Sequence, residues 1–140
     1  MRTEDHFRWA VTVYYEDTDA GGVVYYANYL KYMERARTEW LRQMGFEQDR
    51  LKARDGVLFA VRSASVEYHG PARLDDRLEV SARLLEKGRS SMVIGQDVSR
   101  IDAGGAPLCT GRIQVVCVDA ESWRPRSIPE NIARALTDEY

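Results

Sequence analysis

The chain has 140 residues, 44% of them hydrophobic, which suits one domain spanning 1–140 around one core. Its 20 Lys and Arg against 22 Asp and Glu leave a formal net charge of -2, which argues against a general nucleic-acid or polyanion binder. No apolar run approaches the ~20 residues needed to cross a bilayer, and Met1–Trp9 is charged without an apolar signal core. The expectation is a soluble, cytoplasmic protein with no membrane insertion.

Trp9, Val11, Val13 and Tyr15 alternate with Ala10, Thr12, Tyr14 and Glu16, a period of two that predicts a strand. Asp17-Thr18-Asp19-Ala20-Gly21-Gly22 ends it, since Asp and paired Gly favour turns. From about Asn28 to Met44 the period becomes helical, with Leu30, Met33, Arg37, Trp40, Leu41 and Met44 on one face. Asn28 is placed to cap this helix and Gly45 to end it. A second, short helix is expected over Glu47 to Arg54, broken by Asp55-Gly56. Strands follow over Val57–His69, Arg77–Lys87, Met92–Ile101 and Leu108–Val118, joined by turns short enough for antiparallel neighbours. Pro129 to Leu136 reads as a closing helix with proline in its first turn.

Strand, long helix and four more strands predict an α+β fold, a curled antiparallel sheet of about five strands wrapped around the central helix. Its edge strands would need cover, which points to a homo-oligomer. Cys109 and Cys117 lie roughly 26 Å apart along one strand, too far to bridge within it. They read as reduced, packed residues. Two histidines distant in sequence and no C-x-x-C motif give no metal site.

Val13 to Tyr25, with Asn28-Tyr29 and Glu34-Arg35-Ala36-Arg37 after it, closely resembles the YbgC-type acyl-CoA thioesterases of the 4-hydroxybenzoyl-CoA thioesterase family. The likeness continues through Val66-Glu67-Tyr68, Pro71 to Asp76, Val115 to Asp119 and Pro125-Arg126, covering roughly residues 7 to 135. It implies a hotdog fold, a dimer of dimers with active sites between subunits, coenzyme A thioester substrates, and neither cofactor nor metal. It puts the essential carboxylate, the second Asp of D-x-D-x-x-G, on Asp19, and the carbonyl-polarising backbone amide on Tyr26. There is one departure: YbgC-type members usually carry His where this chain has Tyr26, and the hydroxybenzoyl branch carries an aromatic residue. A backbone donor survives that exchange, and both aliphatic and aromatic acyl groups remain open.

These residue types suit thioester hydrolysis. Free amides at a helix start can stabilise an oxyanion. Asp19 beside them can act as general base for water or as nucleophile. Gly21 and Gly22 allow close backbone approach, and with Val24 and Tyr25 they are expected to line the substrate. Tyr25, Tyr26 and Tyr29 are expected to serve in packing rather than through their hydroxyls. Asp17 is expected to bond turn amides, and His69, at a strand end, is not the base. Lys87-Gly88-Arg89-Ser90-Ser91 offers Lys87, Arg89 and Ser90 for the phosphates of coenzyme A, with Arg124-Pro125-Arg126 as a second candidate. The competing readings are a non-catalytic acyl-CoA-binding or scaffold protein linked to the cell-envelope machinery, and a hotdog dehydratase or hydratase. The latter usually wants a His in the stretch from Tyr14 to Leu30, and none is there.

Overall fold

The computed structural model describes residues 7–101 and 106–138. In chain order its elements are β1 (Phe7–Thr12), a 3-10 turn (Tyr15–Asp17), α1 (Asn28–Gln43), α2 (Gln48–Asp55), β2 (Val57–Tyr68), β3 (Arg77–Lys87), β4 (Ser91–Arg100), β5 (Cys109–Asp119) and α3 (Glu130–Asp138). The strands form one sheet in the order β1-β3-β4-β5-β2, with every neighbouring pair antiparallel. The expected turn at Asp102–Gly105 lies outside the described residues.

One face of the sheet holds α1. Tyr29, Tyr32, Met33, Ala36 and Trp40 pack into a core with Leu78, Val80, Met92, Ile94, Val98, Ile113 and Val115. Gly111 makes room for the Met33 side chain, because a Cβ there would stand 2.8 Å from the Met33 sulfur. Ile128, Ile132 and Leu136, before and within α3, are also buried in this core. Gly45 (φ 97) and Gly56 (φ 67) take left-handed backbone just after α1 and α2, where glycine ends a helix at little cost.

Three expectations are corrected. β1 stops at Thr12 instead of running to Glu16. The Tyr14 amide donates to Asp17 Oδ2 at 2.9 Å, and the Asp17 amide donates back to the Tyr14 carbonyl at 3.0 Å, turning the chain early. Asn28 does not cap α1; it is the helix's first residue, and its side chain donates to the Asp17 carbonyl at 2.9 Å. That bond and the Ala72 amide donating to Tyr29 Oη at 3.0 Å draw Asn28 and Tyr29 inward. The buried stripe therefore runs through Tyr29, Tyr32, Met33 and Ala36, and Leu30 is left exposed.

Arg37 reaches a buried polar bridge instead of an apolar face. Its Nη1 donates to Gln96 Oε1 at 2.9 Å, while Gln96 Nε2 donates to the Met33 and Ser81 carbonyls at 2.9 and 3.2 Å. Burial lowers the guanidinium's pKa. Cys109 and Cys117 are free and buried on β5, and burial pushes the Cys109 thiol up to about 12. No helix among the described residues is long and apolar enough to cross a membrane.

β2 is the outer strand on the α2 side, and among the described residues no strand pairs with the edge facing away from β5. Its residues 61–65 are all exposed. A bare edge of twelve residues is a surface for strand addition.

Candidate active site

The segment between β1 and α1 is held by its backbone. Thr18 and Val24 form an isolated antiparallel bridge, and the Asp19 amide donates to the Val23 carbonyl at 2.9 Å. Gly22, at φ 78, closes the loop by donating to the Asp19 carbonyl at 3.0 Å. Asp19 itself is exposed. Its Oδ1 accepts the Gly21 amide at 2.8 Å, and its other oxygen has no protein partner among the described residues. One oxygen is thus fixed in place by the loop.

Asp17 has a different place. Its carboxylate accepts the Tyr14 amide, and its carbonyl accepts both the Tyr25 amide and the Asn28 side chain, each at 2.9 Å. It ties the loop to the helix start, in line with the structural part expected of it.

α1 begins through short-range bonds. Asn28 donates to the Tyr25 carbonyl, Tyr29 to Tyr26 and Leu30 to Ala27, an i to i+3 pattern that consumes helix-start donors. The amides of Tyr26 and Ala27 find no acceptor among the described residues. They stand at the positive end of a 16-residue helix, where an oxyanion is stabilised.

An aromatic group surrounds this point. Tyr26 lies 4.9 Å from Tyr25 and 5.9 Å from Tyr68 between ring centroids, and Tyr68 is 5.5 Å from Tyr29. Tyr68 also donates its hydroxyl to the Tyr26 carbonyl at 3.3 Å. Of the expected packing residues only Tyr29 is buried; the side chains of Tyr25 and Tyr26 are exposed, Tyr26 at 60%. Val24 points into the core, so only its backbone is available at the loop. The place of Tyr68 beside Tyr26 is not legible in the sequence, because nothing local to β2 tells which helix end it meets. His69 Nε2 sits 3.1 Å from Thr110 Oγ1, on β5.

The two basic stretches converge. Arg89, Ser90, Pro125, Arg126 and Ser127 line one open pocket of about 440 Å³. Arg89 Nε donates to Ser127 Oγ at 2.7 Å, and the Arg89 carbonyl accepts the Ile128 amide at 2.9 Å. Among the described residues Arg89 pairs with no carboxylate, whereas Arg126 is shared with Asp119 Oδ2 at 3.3 Å. Lys87 ends β3 and does not line this pocket.

Asp19 and this pocket lie at opposite ends of β2. Arg126 Nη1 donates to the Gly56 carbonyl, one residue before β2, and Tyr26 meets Tyr68, its last residue. β2 itself runs for twelve residues, roughly 35 Å at the usual strand rise.

The family model of the Thioesterase-like superfamily matches residues 13–136. The acyl-CoA thioester hydrolase YbgC of Escherichia coli O6:H1 is 48% identical over 126 residues, 90% of this chain and 92% of that one. The acyl-CoA thioesterase YbgC of Haemophilus influenzae is 37% identical over 133 residues, 95% and 96% of the two chains. The crystal structure of a 1,4-dihydroxy-2-naphthoyl-CoA thioesterase from Synechocystis superposes with a TM-score of 0.87 over 94% of this chain and 96% of that one. At 22% identity that likeness speaks for the fold alone. With matches that run nearly end to end in both partners, the chain belongs to the YbgC family of the thioesterase-like superfamily and has its hotdog fold.

Proposed function

We propose that this protein is a cytoplasmic, single-domain acyl-CoA thioesterase that converts a coenzyme A thioester and water into free acid and CoA. The observation that carries this reading is the pairing, in one loop, of a half-bound Asp19 carboxylate with the unbonded Tyr26 and Ala27 amides. A thioester oxygen seated on the Tyr26 amide becomes the oxyanion of a tetrahedral intermediate, and one such donor contributes about 3 kcal/mol. Asp19 takes a proton from water as the water oxygen bonds to the carbonyl carbon. Collapse of the intermediate breaks the carbon–sulfur bond, and the CoA thiolate leaves with the electron pair and is protonated. If Asp19 attacks directly instead, a mixed anhydride forms and water then cleaves it. One turnover in heavy-oxygen water that yields unlabelled acid identifies the anhydride route.

The length of β2, roughly 35 Å, exceeds the reach of one CoA molecule between its thioester and its phosphates. A second copy paired antiparallel along the bare β2 edge brings the partner's strand start beside this chain's strand end. Asp19 of one chain then faces Arg89 and Ser90 of the other, so the working unit is a homo-oligomer with sites between chains.

Thiol release from a panel of aliphatic and aromatic acyl-CoAs tests the activity. Asp19→Asn lowers kcat at least about 100-fold with the unfolding temperature unchanged. Wild-type protein that binds acyl-CoA and releases no thiol would overturn the enzyme reading in favour of an acyl-CoA-binding or scaffold protein.

A further inference from the structure

The chain leaves β5 through a tightly locked turn. Asp119 Oδ1 accepts the amides of Glu121 and Ser122, both at 2.9 Å, and the Asp119 carbonyl accepts the Trp123 amide at 2.9 Å. The Asp119 amide donates to the Arg124 carbonyl at 2.8 Å, and Val118 bridges Pro125. Within this frame Trp123 takes φ 62 and is 58% exposed. Two local rules are broken together. A left-handed residue in a turn is normally Gly or Asn, because any other side chain strains the backbone. A large apolar ring is normally buried. Strain persists where surrounding bonds over-determine it, and such positions cluster at ligand sites.

The neighbourhood supplies the ligand chemistry. Pro125, two residues on, already lines the basic pocket. That pocket offers the Arg89 guanidinium, Arg126 and the hydroxyls of Ser90 and Ser127, donors suited to phosphate oxygens. The Ala120 amide ties the turn to the Gly56 carbonyl at 2.8 Å, beside Arg126. An exposed indole on a backbone-locked turn, two residues before the lining of a basic pocket, is a combination suited to a nucleotide, since every base has a face to stack.

We propose that Trp123 is the stacking platform for the adenine of the coenzyme A head group, whose phosphates lie against Arg89 and Arg126. The inference rests on the thioesterase reading and deepens it. It makes the nucleotide end a specificity element, so that a CoA thioester is favoured over the same acyl group on a pantetheine arm without a nucleotide.

The test compares acyl-CoA with the matching acyl-pantetheine thioester. Trp123→Ala raises KM for acyl-CoA roughly tenfold and leaves kcat, and all kinetics with acyl-pantetheine, unchanged. Trp123→Phe restores most of the affinity. Trp123→Gly releases the backbone strain, so it unfolds at a temperature no lower than wild type while losing the same affinity. Adenosine 3′,5′-bisphosphate quenches indole fluorescence in wild type and not in Trp123→Phe, which leaves Trp9 and Trp40 in place. Equal KM for acyl-CoA in wild type and Trp123→Ala overturns the platform even if hydrolysis is vigorous. If wild type hydrolyses nothing, the bisphosphate decides alone: Trp123-dependent quenching supports the platform and its absence overturns it.

Discussion

Asp17 and Asp19 stand two residues apart in one loop and have opposite surroundings. Asp17 is bonded through its carboxylate and its carbonyl, whereas Asp19 keeps one oxygen without a protein partner. Asparagine at 17 still offers an oxygen to the Tyr14 amide, so Asp17→Asn costs less in kcat than Asp19→Asn; an equal or greater loss would transfer the catalytic role to Asp17. Tyr32 is the unusual buried residue. Its hydroxyl is buried without a hydrogen bond of normal geometry, and burial together with the facing Asp17 carboxylate raises its pKa. An unpaired buried hydroxyl costs free energy, so Tyr32→Phe leaves the denaturant midpoint unchanged or raises it. A lowered midpoint would mean that Tyr32 holds Asp17 after all.

At the scale of elements, the Met33 side chain of α1 needs the space that Gly111 of β5 leaves. Gly111 faces the sulfur and terminal carbon of Met33 at distances that no Cβ tolerates, 2.8 and 2.9 Å. Met33 is fully buried and has little room to move. Gly111→Ala should destabilise by about 1–3 kcal/mol, the usual cost of overpacking, measured by denaturant unfolding. Combined with Met33→Ala, the two penalties should sum to less than their separate values, because the second substitution vacates the space the first needs. The strand and helix spans were largely legible beforehand, since alternation and helical spacing are local signals. The helix face was read less well. Leu30 fits the spacing as well as Tyr29 does, and the choice is made by Asp17 and Ala72, remote residues whose bonds turn the helix start.

At the scale of the molecule, the proposed site is divided between the two ends of β2, and chain mixing tests that division. Asp19→Asn chains keep a sound phosphate pocket, and chains carrying Arg89→Ala with Arg126→Ala keep a sound loop. Each alone is weak at low acyl-CoA concentration. Reassembled one to one, random pairing gives about one intact site for every four in wild type, so activity returns. A mixture no better than its components would place both halves of the site within one chain. Val61→Lys, at an exposed position on the bare strand, sets like charges near one another in an edge-paired dimer. Sedimentation should then show monomer, with thiol release lost in parallel.

The sequence alone determined the order of elements, the acidic loop before the long helix and the composition of two basic turns, because each depends on neighbours within a few residues. Tertiary structure decided the rest. Among the described residues it left the Tyr26 and Ala27 amides unbonded and the outer edge of β2 unpaired, joined Arg89 to Ser127 across 38 residues and held Trp123 exposed in the turn after β5. Those outcomes depend on which distant segments meet, and spacing along a chain does not encode that meeting when several packings satisfy the same pattern of apolar residues.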